Sequence, residues 1–125
     1  ASELTGQVLE IDPGNPVAHG QSVEELWAFY RAARDSIDHF HIKDARREDD
    51  GSPVHTYPGD GWCELSEMIA DLLGTGYTGA FSIEPHMATQ VHRLETASAH
   101  PDSADIYREY GRRANALMAE VTARA

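Results

Sequence analysis

At 125 residues, with hydrophobic residues at 41% and charged residues at 25%, the chain has the size of at most one domain and the balance of a soluble globular protein. A formal net charge of −11 argues against the basic surface that nucleic acid requires and disfavours an anionic membrane surface. A lone cysteine, Cys63, excludes an internal disulfide framework, and no apolar run approaches the ~18 residues of a membrane span, so a cytoplasmic address is expected.

The first apolar-rich segment, Gln7–Asp12, reads as a strand, and Pro13-Gly14-Asn15-Pro16 breaks it. Ser22 and Glu25 then have the spacing of a capping box for a helix through about Arg34, with Val23, Leu26, Trp27 and Tyr30 on its apolar face. A second strand is expected over Ile37–Asp44, followed by a long polar loop from Ala45 to Gly61. Leu65, Met68, Ile69 and Leu72 recur at helical spacing, so a helix is expected from about Glu64 to Leu73, with Gly74 and Gly76 as stop signals. A third strand, Ala80–Glu84, precedes a variable stretch to Pro101. A last helix, roughly Ser103–Thr122, is expected to bury Ile106, Tyr110, Leu117, Met118 and Val121. The order β-α-β-α-β-α is that of an α/β fold with a parallel sheet and crossover helices.

Side chains alternate between the faces of a strand, which sorts these segments further. Leu9 and Ile11 oppose Val8, Glu10 and Asp12; Phe40 and Ile42 oppose His39 and His41; Phe81 and Ile83 oppose Ala80, Ser82 and Glu84. One face is apolar and suits the helices. The other becomes small or ionisable towards the C-terminal end of each strand, and enclosing Glu10, His39, His41 and Glu84 without partners is very costly, a cost that a bound cation offsets. Active sites of parallel sheets lie at the C-terminal ends of strands, and here those ends supply Asp12, His41 and Glu84. Such an oxygen and nitrogen set suits Mn²⁺, Co²⁺, Mg²⁺ or Zn²⁺. Singly, the Asp before Pro-Gly reads as a turn residue, the His as a core residue and the Glu as a strand end. Their equivalent places on successive strands point to a site.

Ile11-Asp12-Pro13-Gly14-Asn15, His39-Phe40-His41-Ile42-Lys43-Asp44, Tyr57-Pro58-Gly59-Asp60-Gly61 and Gly76-Tyr77-Thr78-Gly79-Ala80-Phe81-Ser82-Ile83-Glu84-Pro85-His86 together resemble the last third of the xylose-isomerase-like superfamily. That group includes sugar phosphate isomerases and epimerases, ketose 3-epimerases, inosose dehydratases and endonuclease IV. The resemblance implies that residues 1–125 are the C-terminal portion of a single (β/α)₈ TIM barrel, supplying about its last three βα units. It implies one divalent metal, Mn²⁺ foremost, held by Asp12, His41 and Glu84, with a fourth ligand, a Glu, on a strand outside this sequence. Glu84 is then also the catalytic acid/base, taking a proton from beside a sugar carbonyl to give an enediolate.

Substrate contacts are expected at Asn15, Lys43, Arg47 and His55, each with a plainer alternative. The resemblance supplies Asn15 and Arg47, Lys43 continues the inward face of the second strand, and His55 has the spacing of a further zinc His in endonuclease IV. Asn15 is a turn residue otherwise, Lys43 an inward strand charge, Arg47 a solvated loop charge and His55 a loop residue whose neighbour Pro53 departs from the endonuclease pattern. The function implied is a metal-dependent isomerase or epimerase of a sugar, sugar phosphate or cyclitol. The alternatives are a dehydratase of the same fold, related to inosose or dehydroshikimate dehydratases, and a non-catalytic half-barrel that completes a partner. A DNA-repair endonuclease fits neither the net charge nor the incomplete zinc set. The expected partners are the small-molecule substrate, the remaining barrel strands on the same polypeptide or a partner subunit, and a second copy in a homo-oligomer.

Overall fold

The computed structural model describes residues 9–83 and 103–124. Strand β1 (Leu9–Ile11) ends just before Asp12-Pro13, where Pro13 cannot donate to a neighbouring strand, and a short helix α1 (Gly14–Ala18) follows at once. Helix α1 takes in most of the stretch read as a break, and Val17 and Ala18 just after that stretch are buried in the core. Helix α2 (Val23–Ala33) begins at the anticipated capping box. Ser22 Oγ accepts from the Glu25 N–H at 3.0 Å and Glu25 Oε1 accepts from the Ser22 N–H at 2.8 Å. A 3₁₀ turn, Arg34–Ser36, delivers the chain to β2 (Ile37–Ile42).

Strand β2 is the middle of a three-stranded parallel sheet, flanked by β1 and by β5 (Ala80–Ile83). Glu10 pairs with His39 and Ile11 with Phe40, while Phe40 pairs with Phe81, His41 with Ser82 and Ile42 with Ile83. The apolar face packs as its alternation requires. Ile11, Phe40 and Ile42 are buried with Leu26 and Tyr30 of α2 and with Leu65, Met68, Ile69 and Leu72 of α3 (Leu65–Gly74). Each such side chain contributes about 1.5–3 kcal/mol by leaving water, an upper-range figure because denatured chains are partly collapsed.

Two polar ties lock α2 to α3. The Tyr30 hydroxyl donates to Asp71 Oδ2 at 2.7 Å, where Arg34 Nη1 also binds at 2.9 Å. Trp27 Nε1 donates to Glu64 Oε1 at 2.7 Å, holding a residue whose φ of 55° is in the left-handed region. Helix α4 (Ser103–Arg124) buries Ile106, Tyr110, Ala114, Leu117 and Val121, a stripe at helical spacing, with Met118 half-buried beside it. The Tyr110 hydroxyl reaches the Ile42 carbonyl at 2.7 Å and fastens α4 to the central strand.

The region from Asp44 to Gly61 departs from the sequence reading. The second strand stops at Ile42 instead of continuing through Asp44, and the supposed polar loop folds into an antiparallel hairpin, β3 (Asp44–Arg47) with β4 (Pro53–Thr56). Its turn is closed by bonds from Glu48 N to the Ser52 carbonyl and from Gly51 N to the Glu48 carbonyl, with Gly51 at a φ of 89°. The cause of the early stop is Asp44. Its carboxylate, 1% exposed, accepts from the N–H groups of Ala45, Cys63, Gly59 and Gly61 at 2.9, 3.1, 2.9 and 3.1 Å. These bonds turn the chain off the sheet and clamp the returning Gly59–Cys63 loop. The hairpin packs on α1, so it sits beside the point where the chain leaves β1.

Candidate metal centre

The polar face of the sheet gathers three potential ligands. One ligand atom from each of Glu10, His39 and His41 lies within 4.8 Å of the others. His41 Nε2 is 3.3 Å from Glu10 Oε2, and the two imidazoles stack in parallel with centroids 4.5 Å apart. The sheet register explains the grouping. Glu10 and His39 are direct partners, and His41 follows His39 by two residues on the same face. His39 Nε2 also meets Ser82 Oγ of β5 at 2.7 Å, so all three strands contribute. Two imidazoles and a carboxylate are a donor set suited to Mn²⁺, Co²⁺ or Zn²⁺, and their convergence shows that these residues fit a divalent ion.

The residues expected at the site are placed as follows. His41 is in the cluster. Asp12, a residue beyond β1, has its carboxylate 3.4 Å from Lys43 Nζ and accepts from the Asn15 N–H at 3.2 Å. Glu84 lies outside the described residues, as does His86. Lys43 is buried, 3% exposed, and leans over Gly14, where a Cβ would come within 2.8 Å of Lys43 Cγ. Asn15 is the second residue of α1 and is exposed, its carbonyl 2.8 Å from His19 Nδ1. Arg47 ends β3, with its guanidinium carbon 5.5 Å from the centroid of the Trp62 ring. His55 sits on β4 opposite Ala45 and is not one of the three clustered residues. Burial pushes the Cys63 thiol well above its ordinary range, and the thiol donates to the Pro13 carbonyl at 3.3 Å, so it serves packing.

Glu10 and His39 were visible in the sequence as inward neighbours of His41 but were not assigned as ligands. The strand-end rule selected Asp12, whereas the register brings the mid-strand pair to His41. Glu10 is also open, with 60% of its side chain exposed against 20% for His41. The ionisable face of the sheet is thus open at Glu10.

A family model described as xylose isomerase-like TIM barrel matches residues 7–110. No curated protein and no solved structure matches the chain. The matched span takes in β1 through β5, the hairpin and the start of α4, and with it every residue of the cluster.

Proposed function

Because the chain belongs to the xylose isomerase-like TIM barrel family, we propose that it forms part of a divalent-metal-dependent isomerase or epimerase acting on a sugar, sugar phosphate or cyclitol. The observation that carries this reading is the convergence of Glu10, His39 and His41 on one face of a parallel sheet. His41 is common to this cluster and to the ligand set implied by resemblance, in which Asp12 and Glu84 are its companions. The ion, Mn²⁺ foremost and Co²⁺, Mg²⁺ or Zn²⁺ as alternatives, supplies Lewis-acid stabilisation of the charge that develops beside a carbonyl.

The protein's own groups do the rest. Glu84 takes the proton from the carbon next to the carbonyl, and in isomerisation it returns it to the neighbouring carbon. In epimerisation the fourth-ligand Glu outside this sequence delivers a proton to the opposite face while Glu84 keeps the one it took. Lys43, buried and 3.4 Å from Asp12, places an ammonium where a substrate oxygen gains negative charge. Asn15, Arg47 and His55 hold the remaining substrate oxygens from the β1–α1 junction and the hairpin.

The test is a Mn²⁺ titration of the full chain followed by electron paramagnetic resonance. His41→Ala is expected to weaken Mn²⁺ by about tenfold or more, at least the loss typical of an outer partner. Unchanged affinity in that variant removes the reading. Metal binding without turnover once the barrel is complete favours the non-catalytic half-barrel.

A further inference from the structure

Strand β5 brings Ser82 to the polar face of the sheet. Ser82 is the direct partner of His41 in the register of β2 with β5, so its side chain lies on the face that carries His39 and His41. From there Oγ reaches diagonally to His39 Nε2 at 2.7 Å, the short end of the range for such a bond. The strand is anchored from its apolar side. Phe81 packs on Phe40 with ring centroids 5.6 Å apart and meets Tyr77 edge-on at 5.2 Å. The hydroxyl, half-buried, is therefore presented to His39 from a held backbone.

A neutral imidazole carries one N–H and one bare nitrogen, and the hydrogen bond made at one of them decides which is which. His39 meets Ser82 through Nε2. For His39 to offer a lone pair to an ion shared with Glu10 and His41, that lone pair must be on Nδ1, so Nε2 keeps its proton and donates it to Ser82 Oγ. The bond then fixes the ring both in tautomer and in rotation. His41 shares the rotation, because its ring lies on that of His39, 5° from parallel with centroids 4.5 Å apart. Glu10 is 60% exposed and exerts less constraint, so the orientation of the cluster is set from the β5 side.

We propose that Ser82 is a positioning residue of the centre: its hydroxyl accepts the Nε2 proton of His39, which leaves Nδ1 bare for a divalent cation and holds the plane on which His41 stacks. Ser82 acts through His39 and not on the ion itself. This rests on the metal reading of the cluster and adds to it the outer contact that prepares a ligand nitrogen.

The experiment is a long-range ¹H–¹⁵N correlation spectrum of the histidine rings in the full, metal-free chain at about pH 8, above the ~6.5 of an ordinary imidazole. The His39 signals are assigned with His39→Gln, and a Mn²⁺ titration of the same samples follows. His39 should appear as the Nε2–H tautomer in the wild type. Ser82→Ala should turn it into a mixture of tautomers and weaken Mn²⁺ by about tenfold, the lower end of the loss for an outer partner. Ser82→Thr, which keeps the hydroxyl, should restore both. A role in strand packing alone would lower the urea midpoint of Ser82→Ala without moving the tautomer. The wild-type spectrum decides the tautomer even where a variant does not fold. An Nδ1–H tautomer in the wild type, or one that Ser82→Ala leaves unchanged, overturns the proposal. So does a measurable Mn²⁺ affinity that is the same with and without the hydroxyl. A Ser82-dependent Nε2–H tautomer in a chain that takes up no Mn²⁺ upholds the bond and counts against the proposed function alone.

Discussion

His41 is the residue on which the chemistry turns, since it touches Glu10, stacks on His39 and lies on the same face as Lys43. If the cluster holds the ion, Glu10→Gln and His39→Gln should each weaken Mn²⁺ by about tenfold or more. Asp12→Asn should do the same only if Asp12 exchanges Lys43 for metal, and parallel titrations rank the three variants. A second residue-scale prediction concerns acid. The Tyr30 hydroxyl, burial notwithstanding, and the Arg34 guanidinium hold the Asp71 carboxyl below its usual range. A depressed folded-state value means that this contribution is complete above the unfolded carboxylate value of about 3.9 and is lost as pH falls through the lower folded value. Urea midpoints should therefore separate wild type from Asp71→Asn at pH 6 and converge at strongly acidic pH. His41 stood out in the sequence because it fell on a strand's polar face near its end. The pairing Glu10–His39 did not, because it depends on which strands are neighbours and in what register.

Among the elements, α2 was readable from its own residues, since Ser22, Glu25 and the apolar spacing all act within the helix. Ser22→Ala should cost about 1 kcal/mol in chemical denaturation, the usual value of such a cap. The hairpin was not readable in the same way. Asp-Ala-Arg-Arg shows no alternation, and what makes it a strand is the bonding of Asp44 to N–H groups fifteen to nineteen residues away. The one local signal was Asp50-Gly51 at the turn. Asp44→Asn presents an amide NH₂ to two backbone donors and leaves them unbonded, so a loss of about 2–3 kcal/mol is expected by denaturant unfolding, more than for the Ser22 cap. A change no larger than that of Ser22→Ala would show that the loop is held by other means.

For the molecule as a whole, three described parallel strands stand against the eight of a closed barrel, and among the described residues β1 and β5 have partners on one side only. The alternation of strand and helix made this architecture readable, while closure depends on strands that the sequence does not contain. Ile83 is 39% exposed at the β5 edge, and the polar face is open at Glu10. Sedimentation of the chain alone should therefore show concentration-dependent association, and adding the remaining barrel strands should raise Tm and suppress it. A stable monomer at all concentrations would contradict this. No helix among the described residues is long and apolar enough to cross a membrane. The bond from Tyr110 to Ile42 has one more consequence. Helix α4 is seated by a buried stripe that packs chiefly against α3 and by a hydroxyl bonded to the central strand, so covalent continuity between Ile83 and Ser103 should be dispensable for its seating. A protease nick in that interval should leave two pieces that still elute as one particle, and Tyr110→Phe, loosening the latch, should let the smaller piece escape.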